Sequence, residues 1–391
     1  MANKEKSEKK AFSIDEALSI LDSINEDASM LDKSAMSLVN SFIDSGSYVL
    51  NGIMSGGLRR GIPSGRIVGY IGPSGCGKTL MMLKAVAAAQ REQGRIAVIF
   101  DSENAVDMQT AINLGCDPTK IKHCPVETVE SCRNQIVKFL NGVNTNPELK
   151  GKFIIIIDSI ANLSSEKEQE DAVKNKSASD MGLRAKALKS LFRTITYKTA
   201  KADCPILFSN HIYDDPAAMF ESIKKNQSGG RGPEYMASIN VQLNARPEKT
   251  DEEALPIARE GSTGGSGKKA ITGIDMDALT VKNRFLPPFL ECHLNLNFRT
   301  GLKRYYGLIP MAKDMGVLEG SNSYTFVKGP YAGEKIGQEK KFADDVTVWE
   351  KIVDSLDEAI QKQFKFSCET ENESIAADSV ELDEETADIG N

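Results

Sequence analysis

Gly72-Pro73-Ser74-Gly75-Cys76-Gly77-Lys78-Thr79 is the stretch from which the fold can be read. It fits GxxxxGK[ST], with a short apolar run, Arg66–Ile71, before it and a helical pattern, Gly77–Gln93, after it. Glycines at these spacings let the backbone turn tightly enough for its N–H groups to face phosphates at the positive end of the helix. Lys78 then offers a point charge to the β- and γ-phosphates, and Thr79 a hydroxyl to Mg²⁺. ATP and Mg²⁺ are the ligands this implies. Gly261–Lys269 (GSTGGSGKK) only looks similar: its spacing is wrong and no strand precedes it, so it reads as a flexible linker.

Outward from this loop, strands and helices alternate. Buried strands are predicted at Ile96–Asp101, at Phe153–Ile157 ending on Asp158, and at Pro205–Asn210, with further strands near Ile239–Asn244 and Cys292–Phe298. Helices are predicted over Ala105–Leu114, Glu130–Leu140 and Met181–Ala200. The alternation predicts an α/β fold, a mostly parallel sheet covered on both faces, with ligands at the carboxyl ends of its strands. Asp158 arrives at that edge as a candidate Mg²⁺ residue, with Ser159 beside it. Glu103, just past the strand Ile96–Asp101, is the candidate general base for water attacking the γ-phosphate. The plainer reading of Glu103 is an acidic residue favoured by a helix N-terminus.

Composition narrows the class. The chain has 391 residues, 40% of them hydrophobic and 26% charged, ordinary values for a globular protein. No apolar run approaches the roughly 18 residues that a membrane span needs. The start, MANKEKSEKK, is basic but leads into no apolar signal core, so a cytoplasmic protein is expected. Seven cysteines, scattered with no CxxC pair, point to reduced thiols. The three histidines, His123, His211 and His293, show no metal-binding spacing. Residues 368–391 hold nine acidic residues and no Lys or Arg, so the rest of this chain of net charge −7 is mildly basic. That tail reads as a solvated end, or as a competitor of nucleic acid for the basic body.

The organisation expected is an N-terminal arm and helix (1–44, an oligomerisation candidate), a core (45–300), a small C-terminal α/β module (301–367) and the acidic tail (368–391). Within 13–43, Ile14, Leu18, Ile20, Leu21 and Ile24, then Leu38, Val39, Phe42 and Ile43, suggest helix. That helix either packs on its own domain or docks on a neighbouring subunit. Ser164–Asp180, Ile212–Pro233 and Pro247–Lys269 resist regular assignment, and long irregular stretches of this kind are usually functional or disordered.

The words SGRIVGYIGPSGCGKT, IFDSENAVD, IIIIDSIANL and FSNHI, in this order, resemble the RecA recombinases. VKNRFLPPF and YAGEKIGQEK extend the resemblance into the C-terminal module; DMGLRAKALKSLFRTIT and the Asn210-His211 pair resemble the phage-encoded UvsX branch. The similarity spans roughly residues 45–367. It implies a RecA-type phosphate-loop ATPase core with Lys78, Thr79 and Asp158 at the phosphate and Mg²⁺ positions and Glu103 as the catalytic glutamate. Asp107 matches a residue near the adenine, while Thr110 stands where bacterial members carry an aromatic ring. Lys282 and Arg284 match a cationic pair that reaches the γ-phosphate of the neighbouring subunit, in the manner of arginine fingers. His211 stands where bacterial members have a glutamine that senses the γ-phosphate, and adds a pH-dependent charge.

The same resemblance makes Ser164–Asp180 and Ile212–Pro233 the two DNA-binding loops. Lys224, Lys225 and Arg231 suit phosphate neutralisation, the backbone amides of Gly229 and Gly230 suit close approach, and Met181 and Phe220 suit insertion between bases. Asp214 and Asp215 count against a simple basic patch. No base-reading element is evident, so binding is expected to be sequence-independent and salt-sensitive. The function implied is an ATP-dependent recombinase that forms a head-to-tail helical filament on single-stranded DNA and pairs it with homologous duplex DNA. Mediator and single-strand-binding proteins are candidate partners. The alternatives are a ring helicase or translocase on the same fold, and a non-enzymatic partner that has lost turnover. The complete Lys78, Thr79, Asp158 and Glu103 set opposes the second.

Overall fold

The computed structural model describes residues 13–34, 36–174, 181–213, 226–250, 260–261 and 269–364. Its centre is β1 (Ile67–Ile71), which leads through the glycine loop into α3 (Lys78–Gln93), after α1 (Ile14–Ile24) and α2 (Tyr48–Ser55). There follow β2 (Ile96–Asp101), α4 (Met108–Asn113), β3 (Ile121–Pro125), α5 (Val129–Thr145), β4 (Phe153–Asp158), α6 (Glu166–Val173), α7 (Met181–Lys201) and β5 (Ile206–Asn210). The chain continues through α8 (Arg231–Met236), β6 (Ile239–Thr250), β7 (Lys269–Asn283), β8 (Glu291–Asn297) and β9 (Gly301–Leu302). Then come α9 (Leu308–Asp314), three short strands, a one-turn helix at Glu339–Phe342 and α10 (Val346–Gln363).

One sheet joins the strands in the order β9-β8-β7-β6-β1-β5-β4-β2-β3. The run from β6 to β3 is parallel, and β7, β8 and β9 extend it antiparallel. Successive side chains of a strand point to opposite faces, and β4 shows both uses. Ile154 and Ile156 enter the core under α2 and α3; Ile155 and Ile157 enter the one under α5 and α7. Each buried isoleucine stabilises the sheet by about 1.5–3 kcal/mol over exposure. The first core runs on into α10 through Trp349, Ile352, Leu356 and Ile360, so the C-terminal segment is packed on α2.

Several sequence expectations are corrected. The helix over 13–43 stops at Ile24: Asn25 turns extended and its Oδ1 accepts from the Asp27 N–H (3.1 Å), and further on Ser37 Oγ donates to the carbonyls of Leu31 (3.1 Å) and Ser34 (2.9 Å), the local bonding that competes with a helix. Phe42–Ile43 instead pairs antiparallel with Ile62–Pro63. The helix expected at Ala105 begins at Met108, because the Asp107 carboxylate caps the N–H groups of Gln109 (2.8 Å) and Thr110 (3.0 Å). Part of the first irregular stretch is α6, started by a capping box between Ser165 and Glu168, an S-x-x-E signal present in the sequence. In the second, Ile212–Tyr213 pairs with Asn226–Gln227 and α8 follows. The third is the largest change. β6 and β7 stay paired out to Thr250 and Ala270, since cross-strand partners supply the hydrogen bonds that a polar run cannot supply alone. The strands expected at Ile239–Asn244 and Cys292–Phe298 are therefore part of a larger antiparallel wing, with β7 unforeseen between them.

Candidate functional site

The nucleotide end is built where β1, β4, β2 and β5 finish. Gly77, the N-cap of α3, has φ +88, a left-handed conformation that glycine adopts without strain. Pro73, Ser74 and Gly75 are exposed at the crown of the loop, and Cys76 is buried beneath it. Lys78 Nζ folds back on the loop and donates to the carbonyls of Gly72 (2.9 Å) and Pro73 (2.7 Å). Its charge lies within the cradle that phosphates would fill.

Thr79 Oγ1 donates to Asp158 Oδ2 at 2.6 Å, and the Ser209 hydroxyl at the end of β5 donates to Asp158 Oδ1. Only 2% of Asp158 is exposed. Burial pushes its carboxyl above the ordinary range, and the charges of Glu103 and Asp101 push the same way; the Ser209 and Thr79 hydroxyls oppose them.

Glu103 joins this edge through its side chain. Its Oε1 accepts from Ser159 Oγ at 2.5 Å and lies 3.3 Å from His211 Nε2. Asp101 shapes the turn that presents it. Although burial opposes its ionisation, the His123 ring (3.1 Å) and the backbone N–H groups of Glu103 (2.9 Å) and Val106 (3.3 Å) hold its pKa down. Asp101 and Ser209 were not singled out from sequence. An Asp two residues ahead of Glu103 is an Asx-turn signal that was available.

Lys78, Thr79, Asp158, Ser159, Glu103 and His211 thus converge, as the sequence suggested. Asp107 lies beyond β2 as the exposed cap of α4. Lys282 and Arg284 are elsewhere. Lys282 Nζ donates to the carbonyls of Glu234 (2.9 Å) and Tyr235 (2.5 Å), and Arg284 Nη2 to Tyr235 O (3.1 Å), so both sit on the last turn of α8. Cations there are favoured by the helix dipole. Strand register places Lys282 level with the middle of β1, since it faces Asn240, which pairs with Gly69, and Arg284 level with its start: Arg284 N–H bonds Ser238 O, and the Ser238 N–H meets Ile67 O. The glycine loop follows the other end of that strand.

At the proposed DNA side, Met181 opens α7, Gly229 and Gly230 precede α8, and Arg231 is its first residue, with Nη1 3.4 Å from the Tyr235 hydroxyl. Phe220, Lys224 and Lys225, and Asp214 and Asp215, lie outside the described residues, as does the tail 368–391. The expectation about histidines needs one addition. His293 brings its ring to Asp277 (2.7 Å) with Glu291 close by, but Arg246 already lies 3.5 Å from that Asp277 carboxylate. Among the described residues no helix is long and apolar enough to cross a membrane.

A parallel sheet with a glycine loop, a lysine on the phosphates' site, and a threonine and strand-end aspartate side by side defines a phosphate-loop nucleotide hydrolase. Comparison with known proteins narrows the class. The RecA N-terminal domain family model matches residues 13–303, and the chain belongs to the RecA family. It is 26% identical over 344 residues to the recombination and repair protein of Enterobacteria phage T4, covering 85% of this chain and 81% of that protein. It is 28% identical over 285 residues to the protein RecA of Arthrobacter sp. (strain FB24), 73% of each chain. With the protein RecA of Streptococcus pyogenes serotype M5 it shares 26% identity over 351 residues, 89% of this chain and 85% of that one. The chain is a RecA-like recombinase of DNA recombination and repair, a DNA-dependent ATPase. The ring-helicase alternative is not favoured by these relatives.

Proposed function

We propose that this recombinase grips ATP between adjacent subunits and converts that grip into one on single-stranded DNA. The observation that carries the reading is the split between its cations: Lys78 sits on the glycine loop, whereas Lys282 and Arg284 are held away from it on the last turn of α8. Lys282 is level with Gly69 in the middle of β1 and Arg284 with Ile67 at its start, and both are tied to α8 rather than to the glycine loop, which suits a pair that completes the site of the next subunit. A surface that meets a different surface on its neighbour gives head-to-tail assembly, and a helical filament if the rotation does not close.

Thr79 and Asp158 offer the hard oxygen donors that Mg²⁺ takes, and the charge of a buried carboxylate suits a cation beside it. Bound magnesium would neutralise charge on the β- and γ-phosphates. Lys78 would exchange its two loop carbonyls for phosphate oxygens. Glu103 would accept the proton of the attacking water, and His211, hydrogen-bonded to Glu103, would report the γ-phosphate to the loop that begins at Ile212. Asp107 would lie near the adenine. Met181 and Phe220 would wedge between bases, with Lys224, Lys225, Arg231 and the amides of Gly229 and Gly230 on phosphates. Base pairing supplies the homology test with duplex DNA.

The arm fits assembly as well. Ile14 and Leu21 of α1 are 79% and 52% exposed, and no residue of α1 is buried. Its following turn is tied down by Lys201 on Glu26 (2.7 Å) and Asp27 (2.8 Å). A bare apolar face on a tethered helix suits docking on the neighbouring subunit. Mediator and single-strand-binding proteins are further candidate partners, and the acidic tail a competitor for the basic body. The test is electron microscopy of the chain with single-stranded DNA and a non-hydrolysable ATP analogue, alongside a joint-molecule assay. Helical filaments and joint molecules are expected; indifference to DNA with nucleotide and Mg²⁺ present overturns the reading.

A further inference from the structure

Arg184, in the first turn of α7, is used by none of the roles above, yet its guanidinium touches the roots of both proposed DNA loops. Nε donates to Leu163 O (2.7 Å), and Nη2 to Ile160 O (2.9 Å) and Ala161 O. Nη1 lies 3.4 Å from Ser228 Oγ. The three carbonyls belong to the segment that leaves β4 for the first loop, and α7 is where that loop returns. Ser228 closes the second loop: its N–H donates to His211 O (2.9 Å) and its carbonyl accepts from Asn210 Nδ2 (3.0 Å).

We propose that Arg184 is a positioning residue that locks the two loop roots together, so that DNA held by either loop is felt at the nucleotide site. The inference rests on the reading of those loops as DNA-binding. Packing after Ser228 supports it. A Cβ on Gly229 would fall 2.3 Å from Leu188 Cδ1, and one on Gly232 3.0 Å from Lys189 Cα. The exit of the second loop therefore lies flat on the α7 turn that follows Arg184. In the other direction, Ile160 N–H donates to Ser209 O (3.1 Å), and the neighbouring Ser159 donates to Glu103. Two hydrogen bonds thus separate the guanidinium from the proposed base. A planar fork with five N–H donors can span four acceptors; a lysine ammonium, whose donors radiate from one atom, cannot.

The test is ATP turnover by the full chain over a range of ATP concentrations, with and without single-stranded DNA. In Arg184→Ala and Arg184→Lys, DNA stimulation falls about tenfold, within the usual range of coupling between sites. DNA-free turnover and the KM for ATP stay at wild-type values. Ser228→Ala loses less in the same direction, and adds little to Arg184→Ala because the two groups share one contact. Wild-type stimulation in Arg184→Ala, or its full recovery in Arg184→Lys, overturns the proposal. So does an equal fall with and without DNA, which is damage to the fold. If thermal melting shows that Arg184→Ala does not fold, unchanged stimulation in Ser228→Ala overturns it instead. A wild-type chain that DNA fails to stimulate sinks the DNA reading itself, and this inference with it.

Discussion

The two ends of β1 solve opposite problems. At its carboxyl end the groups are self-satisfied: Lys78 on its own loop's carbonyls, Thr79 and Ser209 on Asp158, Ser159 on Glu103. Toward its amino end, Lys282 and Arg284 cap α8, the helix that follows the second loop. One end is a nearly complete site held ready; the other is a pair of charges held by a helix that a neighbour's phosphates could outcompete. Hydrogen bonds to charged groups are stronger than those to neutral carbonyls. On the proposed reading, assembly is thereby written into the fold: each subunit would offer its cationic pair to the nucleotide site of the next.

The comparison breaks most visibly if the halves are not complementary. Lys78→Ala is expected to abolish ATP turnover at its own site, while keeping the cationic pair. A double variant, Lys282→Ala with Arg284→Ala, keeps the loop and is expected to lose turnover on DNA by about a thousandfold, the scale of a missing arginine finger. Mixed, the two proteins should recover part of the wild-type rate, because an intact loop can meet an intact pair. Steady-state hydrolysis against mixing ratio is the measurement. No recovery at any ratio would mean that the site closes within one subunit.

A smaller effect is expected at Glu103. Glu103→Gln preserves size and the hydrogen bond from Ser159 but cannot take a proton, so turnover should fall by about a hundredfold or more. Nucleotide-stabilised DNA binding, read by fluorescence anisotropy at fixed salt, should persist. Wild-type hydrolysis by this variant would reduce Glu103 to a structural partner of Ser159 and His211, since the helix expected just after it begins only at Met108.

The same contrast explains what the sequence disclosed. The carboxyl end of β1 is made largely of short, contiguous motifs, each within one strand and the turn after it, so periodicity and spacing mark Lys78, Thr79, Asp158 and Glu103; the family resemblance marks His211, and neither marks Ser209. β2 and β4 appear almost as expected, and Asp158 and Glu103 meet where the ends of parallel strands must meet. The antiparallel wing was harder. Arg246 pairs with Asp275 and Lys249 with Ile271 on β7, and no local pattern announces a partner so distant in sequence. The contacts of Lys282 and Arg284 with α8 are non-local too; family resemblance marked the residues, but only packing gives their resting partners. Asp101 and Ser165 are different. Their cap and turn signals, Ser165-x-x-Glu168 and Asp101-x-Glu103, are local and legible in the sequence.

The subtlest expectation concerns Asp158 and would sharpen the idea that the carboxyl end is held ready at a cost in stability. Its pKa is raised in the folded chain, so the folded state binds the proton more tightly than the unfolded one. The penalty for ionisation is therefore fully present above the raised pKa and is relieved as pH falls through it. Asp158→Asn removes the charge and leaves a side chain able to accept from one hydroxyl and donate to the other. The nucleotide-free variant should melt a few degrees higher than the wild type at pH 7, and the gain should shrink as pH falls through the raised pKa. Turnover with Mg²⁺ should be lost throughout. Equal melting of the two proteins at pH 7 would show that the hydroxyls of Thr79 and Ser209 already offset burial, and that the carboxyl end of β1 is as relaxed as the other.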